Sequence, residues 1–345
     1  MPRPGEPLRR LGVLTIGLFD PADPGAGHRE TLAMIEFAEE LGLDSVWLRD
    51  RHLQHGISSP VAVLAAAAMR TSRIEFGTAV IPLGAENPLR LAEDLATVDI
   101  LSGGRLNPGV SSGTPMNFER YREAMYPDTL ESEDFSKQRV IRLRNFLRGD
   151  PISAAGTVGI EEFSDHVQPH SPGLAQRLWY GGGRDSAIWT GQQGLNYLTS
   201  SVVFAAGTGV DGSEPDAFAR VQAGDVAAFR EHHPAGAKAR ASQGLVVIPT
   251  DSASAEQKRR YHAYAESRLE RTRTAHGPRG LLLSPDLVGD SSELADRLWS
   301  HAGFREVDEV VFALPFTFEA EDHRQILTDL AQSLGPALGW SPRLS

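Results

Sequence analysis

Thr71-Ser72-Arg73-Ile74-Glu75-Phe76-Gly77-Thr78-Ala79-Val80-Ile81, then Asn87-Pro88, then Gly103-Gly104-Arg105-Leu106 is the stretch that decides the fold. Residues 74–81 are rich in β-branched and aromatic side chains and predict a strand. Asn87 is placed to cap a helix that Pro88 opens. Leu91, Leu95, Val98 and Leu101 then share one helical face, and the glycine pair stops the helix. Residues 106–111 predict the next strand. The whole is one strand–helix–strand unit, the element from which parallel sheets are built.

The same unit recurs in both directions. Toward the N-terminus, residues 11–19 and 45–48 read as strands. Helices follow them, one with Met34, Phe37, Ala38 and Leu41 on one face and Gly42 at its end, the other opened by Ser59-Pro60 and running to Met69. Toward the C-terminus a polar insertion reaches about Glu131 and a helix runs to Leu147. Residues 149–176 read as an extended loop. Strands are expected at 177–180, 196–203, 245–249 and 309–314. Helices are expected at 186–193, 216–232, 254–274, 292–302 and 321–334, with a glycine- and proline-bearing loop at 276–285. Eight such units predict an eight-stranded parallel β/α (TIM) barrel, one domain over residues 1–345, with insertions in the loops at the C-terminal strand ends. A doubly wound open sheet is the competing topology.

Composition narrows the function. With 34 Lys and Arg against 45 Asp and Glu, the formal net charge is -11, which is no electrostatic footprint for nucleic acid and gives little attraction to anionic membranes. There are no cysteines, so disulfides, thiolate catalysis and thiolate metal sites are excluded. Arg9-Arg10 precede an apolar run, but no small-x-small cleavage site follows and residues 20–24 read as a loop, so a signal peptide is rejected. No stretch is long enough to span a bilayer. A cytoplasmic protein is expected.

In a barrel of this kind chemistry sits at the C-terminal strand ends. Tyr180-Gly181-Gly182-Gly183-Arg184-Asp185-Ser186 joins a strand to a helix there. Glycines admit an anion to backbone N–H groups, the helix N-terminus adds partial positive charge, and Arg184 and Ser186 add donors, so the run reads as a phosphate cradle. The alternative is a tight turn with Asp185 or Ser186 as cap. Gly181-x-Gly183-x-x-Ser186 approaches a dinucleotide fingerprint but lacks its last glycine and its acidic residue. Trp47-Leu48-Arg49-Asp50-Arg51-His52 ends the second strand and supplies an acid/base candidate in His52. Asp50, His52 and His55 suggest a metal, but no further ligands stand at other strand ends, so none is expected. Gly77-Thr78-Ala79-Val80 and Gly109-Val110-Ser111-Ser112-Gly113 are strand ends with small residues, which leave room for a flat ligand.

Taken in order, these stretches resemble the bacterial luciferase-like flavin-dependent monooxygenases. Residues 44–52 are similar to that family's second-strand signature, 71–80 to its third-strand segment, and 87–94 through 101–106 to its most specific stretch. The resemblance implies a barrel that uses reduced FMN, delivered by a separate flavin reductase, and dioxygen to oxygenate a small organic substrate. It implies Thr78, Ala79 and Val80 against the flavin ring, with a non-proline cis peptide at Ala79-Val80. Ser111 and Ser112 fall near the flavin or its phosphate, and Gly182, Gly183, Arg184 and Ser186 at the phosphate. The luciferases carry two adjacent histidines where this chain has Arg51 and His52. Arginine does not release its proton, so His52 is left as the acid/base residue and Arg51 as a binder of an anionic substrate or an oxyanion. Ser112 stands where luciferase has a phosphate-binding arginine. Light emission is not expected. A possible homodimer is a further family-level implication. The alternatives are a deazaflavin-dependent oxidoreductase on the same barrel, a non-catalytic flavin-binding protein, and a phosphate-ester isomerase or hydrolase. For the last, the glycine run follows strand five rather than strands seven and eight. The loops at 112–131, 149–176 and 276–290 are expected to shape the substrate pocket.

Overall fold

The computed structural model describes residues 7–343; the ends of the expected 1–345 domain, residues 1–6 and 344–345, lie outside the described residues. A curled parallel sheet carries the fold. Its strands are β1 (Arg10–Thr15), β2 (Ser45–Leu48), β3 (Glu75–Thr78), β4 (Ile81–Pro82), β5 (Leu106–Asn107), β6 (Gly109–Ser111), β7 (Trp179–Gly181), β8 (Asn196–Leu198), β9 (Ala241–Gln243) and β10 (Glu309–Ala313). The order is β4-β6-β7-β8-β9-β10-β1-β2-β3-β5, a ten-stranded sheet where the sequence led us to expect eight. Two expected strands are interrupted. Ala79 and Val80, joined by a cis peptide, separate β3 from β4. Pro108, which has no N–H to give a ladder, separates β5 from β6. β3 pairs with β5, and β4 with β6.

Helices link the strands and pack side by side outside the sheet, Pro24–Glu40 against Pro60–Ala68, that against Pro88–Leu101, and Arg184–Gln192 against Ala217–His232. Asn87 caps its helix as expected, its side chain accepting from the N–H of Leu89 and Arg90. Ser59 makes no such bond, and Pro60 alone sets that start. No helix among the described residues is long and apolar enough to cross a membrane.

Three expected spans differ. The main sheet takes Ala241–Gln243 rather than 245–249; Val247–Pro249 forms a separate parallel pair with Leu287–Gly289. The expected 196–203 strand breaks after Leu198, and Val202–Phe204 pairs antiparallel with Leu281–Leu283, a strand inside the expected 276–285 loop. Residues 149–176 carry a short hairpin, Gly156–Val158 with Glu161–Phe163.

The interior is layered by the two-residue period of the strands. At the N-terminal ends lies a charged floor. Arg10 reaches Glu75 at 2.7 Å, Arg240 reaches Glu309 at 2.9 Å, and Asn107 donates to Glu75 at 2.9 Å. Two residues on, Trp47 and Trp179 meet edge to face across the interior, 5.4 Å between centroids. Gly77 makes room for them, since a Cβ there would fall 2.1 Å from the Trp47 ring. Two further on, Leu14, Arg49, Ala79, Ser111, Gly181 and Ala313 line an open cavity. Outside the floor, Arg105 donates to the carbonyls of Ala68, Thr71 and Ile74, and Asp99, fully buried, accepts from Leu106 N–H, Ser171 and Arg177. These bonds fix how the strands enter the sheet.

Candidate active site

The cavity above the indoles has a volume of about 510 Å³. Arg51, His52, Ala79, Val80, Ser111, Ser112 and Gly182 all line it, so seven of the expected site residues come together. Thr78 does not. It is fully buried, and its hydroxyl donates to Gly109 O and accepts from Gly109 N–H, both at 2.8 Å, clamping the end of β3 to the start of β6.

The glycine run forms a tight turn into the helix Arg184–Gln192. Gly183 is the N-cap residue, and no side chain caps the helix. Among the described residues no turn or cap bond uses the N–H of Gly183, Arg184 or Asp185. A Cβ on Gly182 would stand 2.6 Å from Ser186 Oγ, so only glycine lets Ser186 close over the turn. Tyr197, at the base, donates its hydroxyl to Gly182 O. Ser112 shares a 2.6 Å hydrogen bond with the Tyr180 hydroxyl. Arg184 departs from expectation. Its guanidinium donates to Gly224 O at 2.9 Å and faces buried Asp225, whose carboxyl burial raises to about 7. Lys137, the N-cap residue of the helix Gln138–Arg148, approaches the turn instead, with Nζ 3.4 Å from Asp185 O and over the Trp189 ring. It was missed because its position in the sequence, far from the glycines, gives no local signal.

The opposite wall follows β2. His52 packs on Tyr121 with centroids 5.1 Å apart. Burial lowers its pKa, and its Nε2 is buried without a hydrogen bond. Asp50 is 3% exposed, and neither carboxylate oxygen has a partner. Burial, with Glu86 adding to it and Arg51 opposing, raises its pKa to about 7. In the sequence, Asp50 stands out only as a candidate metal ligand. Among the described residues no cluster of three His, Asp or Glu side chains suits a metal ion. Arg49 faces the cavity with its pKa lowered to about 10 by burial and by Arg51, so it stays a cation at neutral pH. Its inward aim was legible, since Ser45, Trp47 and Arg49 follow the strand period. Arg268 and Arg271 reach the cavity from the end of helix Ala255–Leu269 and the turn after it.

A buried carboxyl poised near neutrality, a neutral imidazole and a row of guanidinia can hold a proton and an anion at one end of the cavity. The other end offers backbone N–H groups and hydroxyls suited to a phosphate.

The family model described as luciferase-like monooxygenase matches residues 10–277. An F420-dependent glucose-6-phosphate dehydrogenase of Amycolatopsis mediterranei (strain U-32) is 28% identical over 203 residues, 54% of this chain and 61% of that protein. The 4-hydroxyprotoasukamycin monooxygenase of Streptomyces nodosus subsp. asukaensis is 35% identical over 94 residues, 27% of this chain and 25% of that protein. The matches thus span less than two thirds of these relatives' length. The oxygenating constituent of 3,6-diketocamphane monooxygenase from Pseudomonas putida, solved with FMN, superposes with a TM-score of 0.63 at 12% identity, covering 97% of this chain and 100% of that one. That likeness is one of fold.

Proposed function

The chain belongs to the luciferase-like monooxygenase family, and from that premise we propose that it is an FMN-dependent monooxygenase of the two-component type. In this reading a separate reductase supplies reduced FMN, and dioxygen oxygenates a small organic substrate. We take residues 1–345 as one domain and read the barrel as eight staves, counting β3 with β4 and β5 with β6. The observation that carries the function is the glycine turn. Unused N–H groups at a helix N-terminus, Ser186 over Gly182, and Lys137 nearby fit a phosphate at the edge of a cavity whose adjoining wall is Val80, Ser111, Ser112 and Gly181.

The residues divide the work by position. Gly182, Gly183, Ser186 and Lys137 hold the phosphate, with Arg184 bracing the helix through Gly224 O. Ala79, Val80 and Ser111 border the ring, and Ser112 is held by Tyr180. Bound reduced flavin supplies the two electrons by which one oxygen atom goes to substrate and the other to water. His52 accepts or returns a proton at Nε2, kept neutral by burial. Asp50 is a second proton store beside it. The closed floor of Trp47 and Trp179 excludes water from below.

The test is a titration with FMN and riboflavin, which share a ring. One or two charge-assisted bonds, each roughly 1.5–3 kcal/mol, make FMN about 100-fold tighter. Lys137→Ala should remove more of that preference than Arg184→Ala. Equal binding of the two flavins would reduce the turn to a structural feature. The relative named as F420-dependent supports a second reading, hydride transfer with a deazaflavin and no dioxygen. Binding of deazaflavin in place of FMN selects it, and lack of substrate-dependent oxygen uptake or deazaflavin turnover selects a binder.

A further inference from the structure

The cavity holds more positive charge than a cofactor phosphate at the glycine turn would use. Arg49, Arg51 and Arg271 line it. Among the described residues none of these three guanidinia makes a hydrogen bond or ion pair, and Arg271 Nε is buried. Arg49 lies over the Phe316 ring at 5.5 Å and touches no carboxylate. Neighbouring Arg268 differs, being paired with Asp286. So do the partly buried arginines of the floor and outer clamps, Arg10, Arg105, Arg139, Arg177 and Arg240, each bound to carboxylates or carbonyls.

Half-buried cations without partners are costly, and burial is tolerated when a ligand supplies the opposite charge. Asp50 does not neutralise them. It makes no ion pair with any of the three guanidinia, and its carboxyl is held toward the protonated form. Nor does a phosphate at the glycine turn. Arg49 and Arg51 follow β2 and the turn follows β7, three strand spacings apart by the shorter route through β3/β4 and β5/β6. At roughly 4.8 Å per spacing, the two ends face each other across the cavity.

We infer that Arg49, Arg51 and Arg271 form a seat for the oxyanion of the organic substrate, a carboxylate, sulfonate or phosphate ester whose hydrocarbon part packs on Leu14, Val311 and Phe316. This deepens the reading of the preceding subsection and rests on it for the position of the cofactor. A local cluster of cations in a chain of net charge -11 also gives anionic substrates one attractive entrance.

The experiment is calorimetric titration of the full chain with sulfate, methanesulfonate, succinate and inorganic phosphate at low ionic strength, with chloride as control, with and without FMN. At least one oxyanion should bind saturably, and the tightest names the group. Arg51→Ala and Arg271→Ala should each weaken it about tenfold or more, while Arg51→Lys keeps part of the affinity. Circular dichroism checks that each variant folds, and FMN binding to Arg271→Ala should stay within about threefold. Oxyanions that bind no better than chloride, or that bind Arg271→Ala as well as the parent chain, overturn the inference. So does an oxyanion site that FMN blocks and Gly182→Ala removes, because that places the anion at the turn. Oxyanion binding that depends on Arg271, in a chain that takes up no FMN, sinks the cofactor reading and leaves the seat standing.

Discussion

Replacing Asp50 by asparagine should stabilise the folded chain above neutral pH. The carboxyl is buried, has no hydrogen-bond partner, and is raised from 3.8 to about 7, chiefly by burial. Between those values the folded chain keeps a proton that the unfolded chain has released. The stability this group contributes is therefore complete below about pH 4 and is lost as pH rises through 7. A shift of about three units corresponds to about 4 kcal/mol at most, of which about 3 kcal/mol falls between pH 5 and pH 8.5. Asparagine carries no charge at any of these pH values and escapes the loss. Asp225, also raised to about 7, adds the same slope to both chains and cancels in the comparison. Urea unfolding of both chains at pH 5 and pH 8.5 measures the effect. The gap between them should move in favour of Asp50→Asn by about 1–3 kcal/mol as pH rises. A gap that stays constant would refute the argument, and would mean that water or a side chain solvates the carboxylate after all.

Three further outcomes are expected. His52→Ala should lower turnover about 100-fold or more and leave FMN affinity nearly unchanged; turnover equal to the parent chain removes His52 from the chemistry. Asp99→Ala leaves Arg177, Ser171 and the Leu106 N–H without their acceptor, and should cost about 3–5 kcal/mol, read as a fall in the urea midpoint with an unchanged slope. Trypsin should cut at Arg273 or Arg279, exposed beside the Leu281–Leu283 strand, and bound FMN should slow that cleavage, since the segment borders the cavity through Arg271 and Leu283; equal rates with and without FMN count against any protection of this segment by the ligand.

The fold was legible because its determinants are local. Asn87-Pro88 starts a helix, Gly103-Gly104 ends it, and Arg105 ties the next strand to carbonyls about thirty residues back. Gly103, Gly104 and Arg105, with Asp99 and with Glu39, which accepts from the N–H groups of Ser72, Arg73 and Ile74, act at the N-terminal ends of the strands and say little about chemistry. Strand placement failed where the pattern was local but misleading. Val247 and Ile248 are more β-prone than Ala241-Ser242-Gln243, yet the sheet takes the weaker segment, which ladders with β8 on one side and β10 on the other. Leu281–Leu283 was masked by the glycines and proline before it, and its partner at 202–204 is about eighty residues away. At the site, Gly182 and His52 could be read from strand-end position. The turning of Arg184 to Gly224, the approach of Lys137, the clamp made by Thr78 and the isolation of Asp50 could not, because each depends on what packs around it.

The perpendicular pair of Trp47 and Trp179 gives the barrel a built-in optical reporter. Both indoles are fully buried, fixed by Ser45 and Asn107 through their ring N–H groups, and sit directly beneath the cavity. A yellow chromophore arriving above them would drain their excited state, so emission should dim in step with occupancy. The remaining tryptophans at 189, 299 and 340 lie outside this layer, but Trp189 stands under Lys137 at the phosphate end and would dim too, so a Trp189→Phe chain gives the cleaner gauge of how full the barrel is.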